Sequence, residues 1–389
     1  MTEARNWGVT VWRTVRARRS AQLGLAWLFV LAAVAALAPF IANSQPYWLV
    51  IDGVGSSPLL QHLDVEDVVW LVGFVAALVC LALRLRVRTR LLLWFGSVAL
   101  ATLLAWLFVQ PPALVVYERT REAIAAGQVE RVVQAPIPFS PKDYLRDFGD
   151  MGMQPPQHGG ASGAHWFGTE SSGADVASRM IHASRVALGI GFIATGIALL
   201  IGIVVGGLMG YFSGVVDMIG MRLVEIFEAI PTLFLLLTFV AFFGRSIYLM
   251  MVIIGITSWS GYARFVRAEF LKLREQDFVQ AGVACGLPLS SLLFRHMLPN
   301  GLAPLLVAAS FGVASAILAE ATLSFLGLGV VDDPSWGQML NQAVRSAGFN
   351  WWLAVFPGGA IFLTVFAYNL LGEALRDAVD PGLRGQGRA

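Results

Sequence analysis

Two lysines, five histidines and a few carboxylates near apolar runs are the residues that could do chemistry here. A phosphate-cradling loop needs glycines followed by Lys and Ser/Thr, because backbone amides and the ammonium hold the phosphates together. Lys142 follows Phe-Ser-Pro and Lys272 follows Glu-Phe-Leu, so neither can serve. The chain therefore carries no recognisable nucleotide site, and an ATP-driven step would have to occur on another polypeptide. His62, His158, His165, His182 and His296 are scattered, without the paired spacing that a metal needs. No GxSxG elbow appears. Cys80 and Cys285 form neither a CxxC pair nor a disulfide framework. Glu225, Glu228 and Glu320 lie at the edges of apolar runs, where a carboxylate is either a substrate or proton contact or an interfacial hydrogen-bonding group. The expectation is a chain that is not an enzyme and has no catalytic residue, metal or cofactor of its own.

The elements that must position these residues are membrane spans. Of the 389 residues, 57% are hydrophobic and only 13% charged, and the mean hydropathy is +0.69. A soluble domain carries about 25% charged residues, so the shortfall points to an integral membrane protein. Charge-free runs at about 20–42, 91–110, 186–212, 226–243 (with Glu228 near one end), 246–263, 301–319 and 351–371 are long enough to span, and 68–83 makes an eighth. A net charge of only +2 gives no reason to expect a nucleic-acid partner.

Arginine placement sets orientation. Arg5, Arg13, Arg16, Arg18 and Arg19 hold the N-terminal tail in the cytoplasm, and Arg84, Arg86, Arg88 and Arg90 hold the loop after the second span there. The basic start leads into a long apolar run without a small-residue cleavage site, which reads as a retained anchor. Asp52, Asp64, Glu66 and Asp67 lie between the first two spans, outside. Alternation puts 111–184 and 320–350 outside, and 213–224, 264–300 and the tail with Arg376, Arg384 and Arg388 inside. Three regions follow: 1–110 with the tail and three spans, an external Pro- and Gly-rich segment 111–184, and a membrane core 185–389. Segment 111–184 is expected to be extended surface structure with one short helix near 118–127. No internal repeat is visible.

Two stretches stand out within the core. Gly202, Gly206 and Gly210 form overlapping GxxxG pairs, which let helix backbones approach closely where lipid supplies no hydrophobic drive. The polar stretch 264–300 is basic, helix-prone and too polar to cross a bilayer. Asp277 is placed to cap a helix through Cys285, Gly286 to end it, and Pro288 to prevent its continuation. A second helix can run from Ser290 or Ser291 to Met297, with Pro299-Asn300 closing the stretch before the next apolar run. Taken alone, an ordinary solvated amphipathic loop would read the same way.

That stretch resembles the EAA coupling loop of permease subunits of bacterial ABC-type importers. The matching residues are Gln280-Ala281-Gly282, Gly286 and Leu298-Pro299, and the longer peptide-importer form matches Asp277-Phe278-Val279 and Arg295-His296-Met297-Leu298-Pro299-Asn300. Gln280 and Gly282 depart from the family pattern, and Gly282 in place of Ala should loosen the helix by about 1 kcal/mol. The resemblance extends through His165-Trp166-Phe167-Gly168-Thr169, Asp175, Arg179, Gly210-Tyr211-Phe212, Ile230-Pro231, Glu320 to Gly329, Pro334-Ser335-Trp336-Gly337 and Asn369 to Pro381. It covers about 165–389. Ile41-Ala42-Asn43 and Pro231-Thr232-Leu233-Phe234-Leu235 are similar to a microcin-C-type branch.

The resemblance implies an all-α type I permease core of about six family helices plus an extra N-terminal pair, about eight in total. It implies a multi-pass inner-membrane subunit that forms the translocation path for dipeptides, oligopeptides or modified peptides. Its partners would be a second homologous permease, two cytoplasmic ATPase subunits holding ATP and Mg, and an extracytoplasmic substrate-binding protein. Import of nickel chelates or another small solute, a self-sufficient carrier, and a scaffold subunit are the alternatives.

Overall fold

The computed structural model describes residues 11–379 except 84, 113–114, 146–151, 158, 161–162, 331–332 and 347. Arg5, Arg84, His158, Asp380, Pro381, Arg384 and Arg388 fall outside the described residues. The protein is mainly helical. The long apolar helices are α1 (Arg19–Ile41), α2 (Val65–Ala82), α3 (Val87–Phe108), α5 (Val176–Phe212), α11 (Leu298–Phe325) and α13 (Trp352–Val379), with the short α4 (Tyr117–Ala125) between α3 and α5. Two bent pairs, α6 (Gly214–Ala229) with α7 (Thr232–Phe243) and α8 (Ile247–Thr257) with α9 (Trp259–Arg274), bring the candidate spans to eight if each pair counts as one. The short α10 (Asp277–Ala284) and α12 (Trp336–Arg345) complete the helices used below.

Three features correct the expectations. The run 226–243 is not one helix: α6 and α7 meet at 78° across Ile230 and Pro231. Proline has no N–H to donate and pushes the residue before it to extended backbone, and Ile230 sits at φ −86°, ψ 120°. Apolar composition runs through the corner without registering it. The run 246–263 bends by 40° at Ser258 and continues as helix to Arg274, eleven residues into the polar stretch. Pro299 ends nothing. A π-helical turn at Ser291–Met297 runs directly into α11, and Pro299 occupies the first turn of α11, where a missing N–H costs no hydrogen bond.

The chain forms two compact units. One comprises residues 29–186 and 331–358. It holds a three-stranded antiparallel sheet in the order β2 (Val54–Ser56), β1 (Trp48–Ile51), β3 (Val129–Val133). The sheet was not anticipated, because the strands are three to five residues long and β1 pairs with β3 across nearly eighty residues. Ala42, Ile137, Phe139, Leu145 and Ala177 form a small buried cluster. Next to it lies a buried polar network. Arg179 Nε is 2.5 Å from Glu170 Oε1, Gln342 Nε2 donates to Glu170 Oε2 at 2.6 Å, and Arg179 Nη2 donates to Gln338 Oε1 at 3.0 Å. Burial pushes the Glu170 carboxyl up from its ordinary value, and the Arg179 guanidinium and the Gln342 amide pull it back. His165 Nδ1 lies 2.8 Å from Asp175 Oδ2, and Trp336 Nε1 donates to the Met180 carbonyl at 3.2 Å. The stretches around 165–179 and 334–337 therefore meet. Helices α2 and α3 pack on each other; α2 has no buried residue, and α3 buries only Ala101 and Ala105. Asp67 of α2 pairs with Arg185 of α5 at 2.5 Å.

The other unit comprises residues 11–28, 187–330 and 359–379 of the described chain. Its main cluster joins α5, α9, α10, the π turn and α11 through Ala198, Tyr262, Val266, Phe270, Val279, Leu293, Met297 and Leu305. Glycines of α5 set the α5–α9 contact. A Cβ on Gly202 would come within 2.5 Å of Tyr262 Cβ, one on Gly206 would collide with the Ala263 carbonyl, and one on Gly210 would meet Phe270 Cβ at 2.6 Å. Backbone cannot step aside as a flexible side-chain end can. Gly206→Val is therefore expected to separate the helices and to cost about 1–3 kcal/mol or more. A lowered thermal midpoint of the purified protein checks this, and an unchanged midpoint would show that α9 is free to move away.

Candidate coupling surface

The polar stretch 264–300 is built as one anchored piece. Helix α9 buries Trp259, Ser260, Tyr262, Ala263, Val266 and Phe270 along one side. Its C-terminal end is tied by two arginines. Arg267 pairs with Asp217 of α6, with Nη2 2.5 Å from Oδ2. Arg274 Nη1 donates to the Tyr211 carbonyl at 3.2 Å, and Gln280 Nε2 donates to the Arg274 carbonyl at 3.0 Å.

Asp277 does not cap α10. Gln276 holds the N-cap position with extended backbone, and Asp277 is the first helical residue. Its carboxylate there still suits the positive end of the helix dipole. Gly286 sits past the end of α10 at φ +69°. Its N–H donates to the Val283 carbonyl at 2.9 Å, and Leu287 N–H donates to the Gly282 carbonyl at 3.1 Å. This is a Schellman closure, which wants glycine at the left-handed position. A Cβ on Gly286 meets nothing within 4 Å, so backbone strain alone governs substitution there. Gly286→Val is expected to cost about 1–2 kcal/mol and Gly286→Asn distinctly less. Thermal melting of the two variants ranks them, and equal midpoints would contradict the closure.

Val279 and Gly282 face inward. A Cβ on Gly282 would lie 2.8 Å from Leu292 Cδ2 and 3.3 Å from Leu287 Cδ1. The departure at 282 thus has a packing side as well as a propensity side: glycine lets the π turn press against α10. Because the opposing atoms are leucine ends, Gly282→Ala is expected to shift stability by less than about 1 kcal/mol, propensity gain and crowding nearly cancelling.

The outer face of α10 is left open. Asp277, Phe278, Gln280, Ala281, Val283, Ala284 and Cys285 are exposed, with Phe278 at 41% and Val283 at 49%. Sequence reasoning singled out neither Phe278 nor Val283 as exposed apolar residues; the pattern of buried Val279 and Gly282 between them was the available signal. Arg295 and Asn300 are exposed and His296 half-buried, and Asn300 Nδ2 donates to the His296 carbonyl at 2.6 Å. Leu298, Pro299 and Asn300 form the first turn of α11 rather than a separate tail to the stretch.

The remaining carboxylates have local partners. Glu225 pairs with Arg222 at 2.5 Å and Glu228 with Arg264 at 2.9 Å, while buried Glu320 accepts from Ser324 Oγ at 2.6 Å. Among the described residues no group of three His, Cys, Asp or Glu could hold a metal ion.

Residues 202–385 match the family described as binding-protein-dependent transport system inner membrane component. The oligopeptide transport system permease protein OppC of Haemophilus influenzae is 37% identical over 246 residues, which is 63% of this chain and 77% of that protein. The dipeptide transport system permease protein DppC of Alkalihalophilus pseudofirmus is 38% identical, covering 58% of this chain and 74% of its own. The glutathione transport system permease protein GsiD of Pectobacterium atrosepticum is likewise 38% identical, covering 58% and 75%.

Proposed function

Because the chain belongs to the family of binding-protein-dependent transport system inner membrane components, we propose that it is the permease subunit of an ATP-driven peptide importer. The relatives named for oligopeptides, dipeptides and glutathione favour a peptide over a nickel chelate as cargo. The observation that carries the coupling role is α10 itself. Val279 and Gly282 fix it in the core while Phe278, Ala281 and Val283 remain uncovered. A rigid, exposed, weakly polar surface of this kind suits a protein partner.

In this reading two ATPase subunits dock on α10 and its counterpart in a second, homologous permease. An extracytoplasmic binding protein delivers the peptide. The arginine distribution puts α10 and both termini on the cytoplasmic side. ATP acts by binding one arrangement of the ATPases better than the other, and the docked helix carries that preference into the core. The core then alternates between inward and outward states around the path. Asp277, Gln280, Ala281, Gly286, Arg295, His296, Leu298, Pro299 and Asn300 are the proposed docking residues, Gly282 supports α10 from its buried side, and Gly202, Gly206 and Gly210 hold the helix packing.

Mild-detergent purification followed by mass spectrometry tests this. A P-loop ATPase and a second permease are expected to co-purify with the native chain, and the ATPase alone to be lost from Gly286→Arg. A chain that purifies alone in both forms would move the function to a self-sufficient carrier or a scaffold.

A further inference from the structure

A cavity of about 210 Å³ lies among α5, α8, α9 and α11, with no α10 residue in its lining. Ala194, Thr195, Ala198, Ile254, Ser258, Tyr262, Gly312, Ser315 and Ala316 line it; the argument turns on Thr195, Tyr262 and Gly312. Thr195 is 5% exposed, and its Oγ1 has no hydrogen-bond partner among the described residues. A buried hydroxyl left unpaired in a membrane-spanning bundle is costly unless something else meets it. Gly312 is shaped for the same purpose. A Cβ there would overlap the Tyr262 hydroxyl, so glycine is what lets that hydroxyl enter the space. Ser258 and Ser315 are exposed, giving the cavity a polar mouth.

The lining carries hydroxyls and no charge. A carboxylate or ammonium would lose its water here and find no counter-charge. A neutral group that both donates and accepts hydrogen bonds is matched, because hydroxyls do both. The peptide amide is such a group, and it is the part that all peptides share. We infer that this hydroxyl-lined cavity is a contact site on the translocation path for the backbone amide of a passing peptide. Water fills it between passages and is exchanged for the amide. The inference rests on the peptide-importer reading and deepens it: recognition here would ignore side chains.

The test uses the complete transporter in proteoliposomes, with trialanine and its depsipeptide analogue, in which an ester replaces the first of its two amides. The native protein should prefer trialanine. Thr195→Val and Tyr262→Phe should each raise the trialanine KM by about fivefold to tenfold, the range of one lost neutral hydrogen bond, and narrow the amide-to-ester ratio. Uptake of the ester should fall less than that of trialanine, because the ester keeps a carbonyl acceptor but has no N–H to give. Thr195→Ser, which keeps the hydroxyl, should restore the native ratio and separates loss of the bond from loss of the fold. Native KM and native ratio in both variants would overturn the inference alone and leave the cavity a hydration site. A native transporter that takes up neither compound would overturn the peptide reading and this inference with it.

Discussion

Ala281→Asp is expected to abolish ATP-driven uptake, by about two orders of magnitude or more, in a chain that still folds and inserts. Ala281 is exposed on α10, so the change touches no core contact. The folding cost is confined to helix propensity, about 0.7 kcal/mol. The docking cost is far larger. Burying an unpaired carboxylate against a partner removes its water and leaves several kcal/mol uncompensated. Val279→Ala makes the opposite experiment. Val279 is 1% exposed, so its truncation should lower stability by about 1–3 kcal/mol while leaving the outer face chemically intact. Uptake, co-purification of the ATPase and thermal midpoint, measured on both variants, should therefore separate into two patterns. Native uptake by Ala281→Asp would remove α10 from the docking surface.

Arg179→Leu is expected to be the most damaging change in the unit built around the sheet. Arg179 and Glu170 are 2% and 1% exposed at their side chains. Removing one member of a buried pair leaves the other charged and dry, at about 3–5 kcal/mol. The second half of the prediction is the decisive one. Arg179→Met together with Glu170→Met removes both charges, and it should recover most of the loss, because the pair itself contributes little net stability. Thermal unfolding of native, single and double variants checks this. A double variant as unstable as the single would show that Gln338, Gln342 and the Pro141 carbonyl depend on the charges for their own positions.

Much of this was legible in the residues, and the failures share a cause. Hydropathy marks which segments leave water, and the eight candidate spans follow from it. It says nothing about backbone direction within an apolar run, so the corner at Ile230–Pro231 passed unseen although its proline was in plain view. Gly286 was legible because glycine beyond a short helix has one common use. Pro299 misled because the same residue that stops a helix interior is harmless in a first turn, and position within the element is not written locally. The cap at Gln276 slipped by one residue for the same reason. The cavity at Thr195 and Gly312 had no sequence signal, since four helices from separate parts of the chain had to be brought together to form it. The strands at 48–56 and 129–133 are too short to show a period of two.

The glycine contact between α5 and α9 has a mechanical meaning. Where backbones touch with no side chain between them, nothing is left to shear, and two helices become a single bar. Gly202, Gly206 and Gly210 make such a bar about two turns long. The 40° bend at Ser258 lies at one end of α9, where α8 joins it. Stiffness is thus assigned to three glycines: a side chain at any of them would put a compliant layer back between the two helices.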